Sequence, residues 1–414
     1  MSTMTTTASE RGSREFRAFT GMSMAATALS IDLILPAFSK IRADLHLGEN
    51  SAGTAGLITA FFIGLALGQI PAGMCSDRWG RKPVVQWSCG LFIVGTVGAL
   101  LSPSLPLLLV SRLVWGLGAA GMRTSAMAMI RDRFSGEEMG REVAFAMTIF
   151  IIVPIIAPLL GSLLIKVMHW RALFVVCAAF GVAIYVWQAR LPETLHSDSR
   201  QPLRLSQLSI ASKAIASNRT SLGYSLAMLP IFGVFASYLA SSERLVGKVF
   251  ERPTLFAPMF GFTALAMGLT SLWVGRNVER LGMHRVIRVS AMVFTAFSLL
   301  ATVIAARANG KPNFWLYFAV FTVVLMAYNS LFPQMNAGSM QPVGHVAGAA
   351  TAVIGTASTL FGSIVGAVID NAYDGTVNPF TQAFLVGGVI ALGFIVWARS
   401  GMKAEQAVVS MGRD

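Results

Sequence analysis

Two charged residues stand inside long apolar stretches, where an ionised side chain is costly. Asp32 follows Arg17 by fifteen residues, and Arg112 follows Pro103 by nine. At about 1.5 Å per residue, Asp32 would lie about 22 Å along its helix from Arg17. Arg112 would lie about 13 Å along another helix, which enters the membrane from the opposite side, so the depths of the two residues would differ by roughly one helical turn. A carboxylate at such a depth must face water, pair with a cation or carry a proton for part of the time. We therefore predict proton binding at Asp32 with Arg112 as its charged neighbour. The alternative is that Asp32 caps a loop at the membrane surface.

A short charged sequence occurs twice, 202 residues apart. The first copy, 73–82, reads Gly-Met-Cys-Ser-Asp-Arg-Trp-Gly-Arg-Lys, and the second, 275–284, reads Gly-Arg-Asn-Val-Glu-Arg-Leu-Gly-Met-His. Glycine, acid, arginine and glycine share their positions; the charged pairs are Asp77 with Arg78 and Glu279 with Arg280. The same loop in each half predicts two parallel repeats related by an axis along the membrane normal.

Each residue type in this loop suggests a physical role. Gly73 would allow two helices to approach closely, and Gly80 would allow the positive φ of a tight turn. Asp77, at a helix end, would pair with Arg81 or with backbone amides of a neighbouring helix. Met283 stands in the second copy where the first has Arg81, so we expect weaker pairing there.

The elements that position these residues are apolar helices. Hydrophobic residues make up 55% of the 414-residue chain and charged residues only 12%, which predicts an all-α protein embedded in lipid. We place twelve transmembrane helices at 17–38, 52–75, 83–101, 104–130, 142–165, 170–190, 219–242, 254–275, 284–306, 313–335, 346–369 and 379–399.

The positive charge is distributed unevenly between the predicted loops. Of the 32 Lys and Arg residues, 21 fall on the side that holds both termini, nine on the other side and two within a helix. The positive-inside rule therefore predicts two cytoplasmic termini, and the net charge of +13 needs no nucleic-acid partner. Three cysteines and five histidines show no metal-ligand spacing, so we expect no metal site.

One long polar connection divides the chain. The predicted organisation is a cytoplasmic tail (1–16), a six-helix bundle (17–191), a cytoplasmic linker (192–218), a second six-helix bundle (219–400) and a cytoplasmic tail (401–414). Leu203, Leu205, Leu208 and Ile210 favour a short amphipathic helix in the linker, with a flexible linker as the alternative.

The 73–82 sequence resembles the signature loop of the major facilitator superfamily, and the resemblance extends over the whole chain. It implies a fold of two six-helix bundles and a loop that acts as a conformational latch favouring one access state. The resemblance assigns that latch to Gly73, Asp77, Arg78, Gly80 and Arg81, with Glu279 and Arg280 in the second copy.

Three further motifs carry resemblances. Asp32-x-x-x-Pro36-Ala37 in the first helix resembles the twelve-span drug/proton antiporters, especially the bicyclomycin and chloramphenicol resistance subgroup. Arg112-x-x-x-Gly116-x-Gly118 in the fourth helix is similar to a motif of the superfamily, and Pro154, Pro158 and Gly161 in the fifth resemble the motif that marks antiporters within it. Two prolines one turn apart should bend the fifth helix. Ala157 and Ser162 replace glycines of the fuller antiporter motif.

Other intramembrane residues are candidates for lining a substrate cavity. They are Ile31, Leu35, Phe232, Phe235, Tyr238, Asn329 and Asn336. Simple helix packing is the alternative for the aromatic members. For Arg123, a functional role and pairing with a loop both remain open. For Glu243 and Arg244, the alternatives are a gate at the outer mouth and an ion pair at the membrane interface.

The resemblance implies a secondary transporter of the cell membrane that exports small drug-like molecules in exchange for protons. It needs no cofactor other than the proton gradient, its partners are substrate, protons and lipid, and it would function as a monomer. A proton-linked symporter or metabolite exporter of the same fold remains open. A membrane-integral enzyme or sensor is disfavoured because the helices offer no convergent nucleophile, base or metal ligands.

Overall fold

The computed structural model describes residues 2–48, 52–196, 198, 200–202 and 205–411. Side chains are described for all of these residues except 2–13, 150–151 and 401–411. Every regular element in these ranges is helical. Ten apolar stretches are long enough to cross a membrane; one of them, Phe314–Asn371, contains two helices, and Ala172–Gln188 is a shorter apolar helix. The predicted all-α fold with twelve apolar helices is confirmed for the described residues.

The chain forms two compact units. One contains Met1–Leu47 and Ala60–Leu203, and the other contains Gly48–Thr59 and Arg204–Asp414. Helices that begin before the division at Leu203 are α1 (Ser2–Asp32), α2 (Phe38–Asp44), α3 (Ala55–Trp79), α4 (Arg81–Leu101), α5 (Leu105–Arg133), α6 (Gly136–Val167) and α7 (Ala172–Gln188). After it follow α8 (Leu205–Ser217), α9 (Arg219–Arg244), α10 (Phe256–Leu281), α11 (Met283–Arg307), α12 (Phe314–Met340), α13 (Ala347–Asn371) and α14 (Asn378–Met411).

The first predicted membrane helix, 17–38, is not one continuous α-helix. It begins at Ser2, and Phe16, expected in the tail, is buried. It ends at Asp32; a 3-10 turn, Leu35–Ala37, then leads into α2. Pro36 explains the break, because proline has no N–H to bond to the Asp32 carbonyl and its ring crowds that oxygen.

The linker contains the helix that the leucine pattern favoured. It is α8, whose Ala211 and Ile215 are buried while Leu205 and Ile210 are exposed. Leu203 lies outside the described residues. Within the second unit α9 packs against α8, α13 and α14, so it lies at the centre of several interhelical contacts.

The two repeated loops turn in the same way. Gly80 joins α3 to α4 with φ of +106°, and Gly282 joins α10 to α11 with φ of +79°. Residues with a Cβ avoid this region of backbone conformation, which explains a glycine at this place in both copies. The positive φ predicted at Gly80 is confirmed.

Candidate functional site

Asp32 is the last residue of α1 and lies beside the break in that helix. Its side chain is 3% exposed, and its neighbours Ile31 and Leu35 are also buried. Within the described residues of this unit, no hydrogen bond or ion pair reaches the carboxyl group. The chain thus holds a carboxyl group among apolar neighbours without a dedicated partner, an arrangement suited to a group that gains and loses a proton.

Arg112, in α5, is fully buried next to the same turn of α1. Its Nη1 donates a 2.9 Å hydrogen bond to the carbonyl oxygen of Ser30. Its guanidinium lies over two aromatic rings, 4.6 Å from the centre of Phe61 and 4.5 Å from that of Trp115. The structure therefore brings Arg112 to the Asp32 segment, but through the backbone of Ser30 and not through an ion pair with the carboxylate.

Glycines of the Arg112 motif allow α5 to pack tightly against its neighbours. A Cβ at Gly116 would overlap the Phe61 carbonyl oxygen of α3, and one at Gly118 would overlap the backbone of Phe92 in α4. These contacts fix the height of α5 relative to α3 and α4. They consequently hold Arg112 at the level of Ser30.

Gly161 brings α6 to the other side of the break in α1. A Cβ there would overlap the Leu33 carbonyl oxygen and would also touch the Pro36 ring, at 3.4 Å. Pro158 and Gly161 are buried, and Pro154 is partly exposed. Helix α6 continues through both prolines as Gly136–Val167; the bend expected from them stays a prediction.

The Asp77–Arg81 pair predicted in the 73–82 loop is present, with 2.5 Å between Oδ1 and Nη1. Sequence reasoning missed a second partner, Asp132, at the end of α5. It receives two hydrogen bonds from Arg81, 2.7 Å from Nε and 3.1 Å from Nη2. The Asp132 side chain is 17% exposed against 53% for Asp77, so the two-bond pair is the less hydrated interaction.

Glu193, also missed, caps the start of α4. Its two carboxylate oxygens accept the backbone N–H groups of Arg81 and Lys82, each at 3.0 Å. A carboxylate satisfies unpaired amides at a helix N-terminus and is stabilised by the helix dipole. Of the two alternatives for Asp77, the pair with Arg81 is the one observed, and the backbone N–H groups at the start of α4 donate to Glu193 instead.

The remaining latch residues differ in what the structure shows. A Cβ at Gly73 would lie 3.8 Å from the nearest atom, which is ordinary contact, so the close helix approach predicted at Gly73 is wrong. The close approach occurs at Gly68, where an added Cβ would lie 2.7 Å from the Cβ of Ala120. Arg78 is exposed. In the second copy Glu279 and Arg280 are exposed, and no ion pair joins them among the described residues.

The aromatic candidates of α9 pack against neighbouring helices. Phe235 stacks on Tyr328 of α12 with ring centres 4.3 Å apart, and Phe232 contacts Phe332 at 5.8 Å. Tyr238 stacks on Phe260 of α10 at 5.6 Å. Tyr238 also borders a small crevice of about 60 Å³ lined mainly by aromatic side chains of α9, α10, α12 and α14. Packing is therefore the observed role of these rings, and Tyr238 in addition borders this crevice.

The polar candidates of α12 differ from each other. Asn329 donates to the Met267 carbonyl at 2.7 Å and to Ser271 Oγ at 2.9 Å, and so fastens α12 to α10. Asn336 is half-buried. Arg123, further along α5 than Arg112, has an exposed side chain.

The second unit contains a buried carboxylate that sequence reasoning overlooked. Asp370, near the end of α13, is 3% exposed and accepts hydrogen bonds from Ser237 and Ser241 of α9. Glu243 and Arg244 follow Ser241 closely on α9 and are buried, and Arg244 donates a hydrogen bond to the Asp370 backbone carbonyl oxygen. The spacing Gly362-x-x-x-Gly366-x-x-x-Asp370 was the available signal, because it lines one face of a helix with small residues and ends in an acid.

Comparison with known proteins agrees with this architecture. Residues 20–367 match the family model described as Major Facilitator Superfamily. The chain is 25% identical to a bicyclomycin resistance protein homolog of Haemophilus influenzae, covering 89% of this chain and 91% of that one. It is 26% identical to a chloramphenicol resistance protein of Pseudomonas aeruginosa, covering 93% and 91%. A solved D-xylose-proton symporter shares the fold, with a TM-score of 0.77 at 13% identity over 92% of this chain and 96% of that one.

The chain belongs to the major facilitator superfamily. It is a multi-pass membrane transporter whose relatives include the bicyclomycin and chloramphenicol resistance subgroup, as the motif of α1 predicted.

Proposed function

We propose that this transporter exports small drug-like molecules in exchange for protons, with Asp32 as the coupling carboxyl group. The observation that carries the proposal is the burial of Asp32 at the broken end of α1, without a partner among the described residues of its unit. The resistance proteins among its relatives support a drug as the substrate.

The proposed cycle couples two events at Asp32. In the outward-facing state the carboxyl group takes a proton from the outside, and the protein turns inward. Drug binding and proton release then compete, and the reorientation that follows carries the drug out. Coupling requires that proton and drug do not both stabilise the same access state, which follows if a drug binds better to the ionised form.

The residues around Asp32 suit this role. Arg112 supplies positive charge at the preceding turn without occupying the carboxylate, and Pro36 leaves the Asp32 carbonyl without its helical donor. Gly161 lets α6 press on the same turn. A change in the packing of α5 or α6 would therefore alter the surroundings of the carboxyl group directly.

Inverted membrane vesicles test the proposal. With an acidified interior, vesicles containing the protein should accumulate labelled chloramphenicol or ethidium, and a protonophore should release it. Vesicles with Asp32→Asn, which keeps the shape of the side chain but cannot bind and release a proton as a carboxyl group does, should not accumulate either compound.

The same assay separates the rival functions. A proton-linked importer would carry its substrate out of such vesicles together with protons, so it would empty them. Accumulation that survives in Asp32→Asn would mean that Asp32 is not the coupling group. A lack of proton-dependent movement for every compound in a broad antibiotic and dye panel would contradict drug export itself and favour a metabolite exporter.

A further inference from the structure

Asp370 is a buried carboxylate that the cycle above does not use. Its Oδ1 accepts hydrogen bonds from the hydroxyl groups of Ser237, at 2.6 Å, and Ser241, at 2.7 Å. Its Oδ2 is buried and has no hydrogen-bond partner within the described part of the chain. One half of the carboxyl group is thus held by two donors, while the other half is shielded from bulk solvent and receives no hydrogen bond from the described residues. Such a group is incompletely solvated when ionised.

Matched small residues on two helices place these side chains together. Gly362, Gly366 and Asp370 recur every four residues on α13, as do Gly233, Ser237 and Ser241 on α9. A Cβ at Gly366 would lie 3.0 Å from the Gly233 carbonyl oxygen, closer than most real contacts. The glycines therefore let the helix backbones touch, and one turn later the acid of α13 meets the serines of α9.

Arg244 lies beside the carboxyl group without pairing with it. Its Nη2 lies 3.3 Å from Ser241 Oγ and 3.3 Å from the backbone carbonyl oxygen of Asp370. Its guanidinium lies 3.9 Å from the centre of the Tyr373 ring, in the loop after α13.

Other titratable side chains on the elements near Asp370 either interact with other residues or are distant from Asp370 along the chain. Asp374, in the same loop, is exposed and bonds to Thr376. Tyr317 and Tyr328 of α12 stack on phenylalanine rings. Helix α14 has no titratable side chain between Asn378 and Ala398, and His345, before α13, is 25 residues away along the chain. Lys213 belongs to α8, which packs on the segment that contains His345, and Glu243 adjoins Arg244 on α9.

We propose that Asp370 is a second proton-binding site of this transporter, in the unit that does not contain Asp32. Protonation removes the negative charge of a carboxylate that receives side-chain hydrogen bonds at Oδ1 only. The serine hydroxyls would then turn to carbonyl oxygens four residues earlier in α9, so neither protonation state leaves them without a partner. Asn371 and Ala372 are exposed directly after Asp370, so the end of α13 that carries the acid lies next to solvent-accessible residues.

This proposal deepens the proposed function, because a second site adds to the protons that drive transport, but its test needs no transported compound. The full-length protein in lipid is titrated from about pH 4 to about pH 9 and followed by infrared difference spectroscopy. A protonated carboxylic acid has a carbonyl stretching band that a carboxylate lacks. The parent protein should show two titrating buried-carboxyl components, one that is lost in Asp370→Asn and persists in Asp32→Asn, and one from Asp32 that shows the reverse pattern. Exposed Asp374→Asn is the matched control and should retain both components.

Two serine variants make the assignment independent of the acid itself. Ser237→Ala and Ser241→Ala each remove one hydrogen bond from the carboxylate, so each should move the midpoint of the Asp370 band upward by about one pH unit. A structural role for the cluster would lower stability and leave no titrating band to move. These variants also decide the matter if Asp370→Asn fails to fold.

The outcomes separate the two proposals. A spectrum of Asp370→Asn identical to that of the parent, or a band that does not respond to either serine variant, overturns the second site. If the band behaves as expected while no compound is transported in vesicles, drug export fails and the proton site stands. If both hold, Asp370→Asn should also change the pH dependence of chloramphenicol accumulation.

Discussion

Arg112 and Ser30 are joined by a 2.9 Å hydrogen bond from Nη1 to the backbone carbonyl oxygen, two residues before Asp32. This bond ties α5 to the last turn of α1 and leaves the Asp32 carboxylate without a direct cationic partner. The two rings that Phe61 and Trp115 place against the guanidinium restrict its movement further. Arg112 is thus a positive charge held in place against the last turn of α1.

The first prediction concerns this fixed charge. Arg112→Ala should move the pH profile of drug accumulation toward higher pH and not merely lower its rate, because the nearby charge that favours the ionised carboxylate is lost. It should also lower stability by about 1.5–3 kcal/mol, the usual value for a lost charged hydrogen bond. Vesicle assays at several pH values measure the first effect. Arg131→Ala, at an exposed position of the same helix, should leave the profile unchanged; equal shifts in both variants would refute a specific role for Arg112.

The second prediction concerns the loop between α3 and α4. Asp132→Asn should slow transport at least as severely as Asp77→Asn, because Asp132 receives two hydrogen bonds from Arg81 and is the less hydrated partner. Because Arg81 keeps its pair with Asp77 in this variant, the loss is that of charged hydrogen bonds, about 1.5–3 kcal/mol, and it should change the balance between access states. Transport rates at equal expression provide the measurement.

The second copy of the loop supplies its control. Glu279 occupies the position of Asp77 but is exposed, and no described ion pair involves it. Glu279→Gln should therefore retain most of the parent rate. If Glu279→Gln and Asp132→Asn lower the transport rate equally, the overall charge of the two loops determines the rate, and the ion pairs of Arg81 have no specific role.

Features that depend on the length of apolar segments or on the conformational freedom of a residue type could be predicted from the sequence. Twelve helices follow from apolar runs, because a lipid core sets their length, and the turn at Gly80 follows from the steric freedom of glycine. Interactions between distant segments were not predictable: Asp132 is 51 residues from Arg81 and Glu193 is 112 from it, and no local rule fixes such pairs. Asp370 was missed because an acid at the end of an apolar run resembles a loop residue.

The break in α1 was accessible from the sequence but was misread. Pro36 was treated as part of a family motif, whereas its missing N–H acts directly on the backbone of Asp32. Gly161 was assigned to a bend in α6, and the structure instead shows it in contact with that break. Both residues of the antiporter-like motifs therefore influence the surroundings of the same carboxyl group.

The third prediction concerns orientation in the membrane. Cysteines introduced at Arg200 or Lys213 should react with a membrane-impermeant maleimide only after the cells are opened, because the excess of basic loops places this side in the cytoplasm. A cysteine at exposed Lys311 should react in intact cells. Cys75, which is partly exposed, must first be replaced. The opposite labelling pattern would reverse the transport direction inferred above.

The fourth prediction tests the contact between α6 and the broken end of α1. Gly161→Ala places a methyl group against the Leu33 carbonyl oxygen, which is backbone and cannot move aside without shifting α1 or α6. Overpacking of this kind costs about 1–3 kcal/mol, so the melting temperature in detergent should fall. Transport should fall further than stability alone explains, because the displaced segment carries Asp32. Gly140→Ala, in the same helix with no atom within 4 Å of its added Cβ, is the matched control and should keep or slightly raise stability. If Gly161→Ala melts and transports like Gly140→Ala, then close contact at Leu33 is not needed for either folding or coupling.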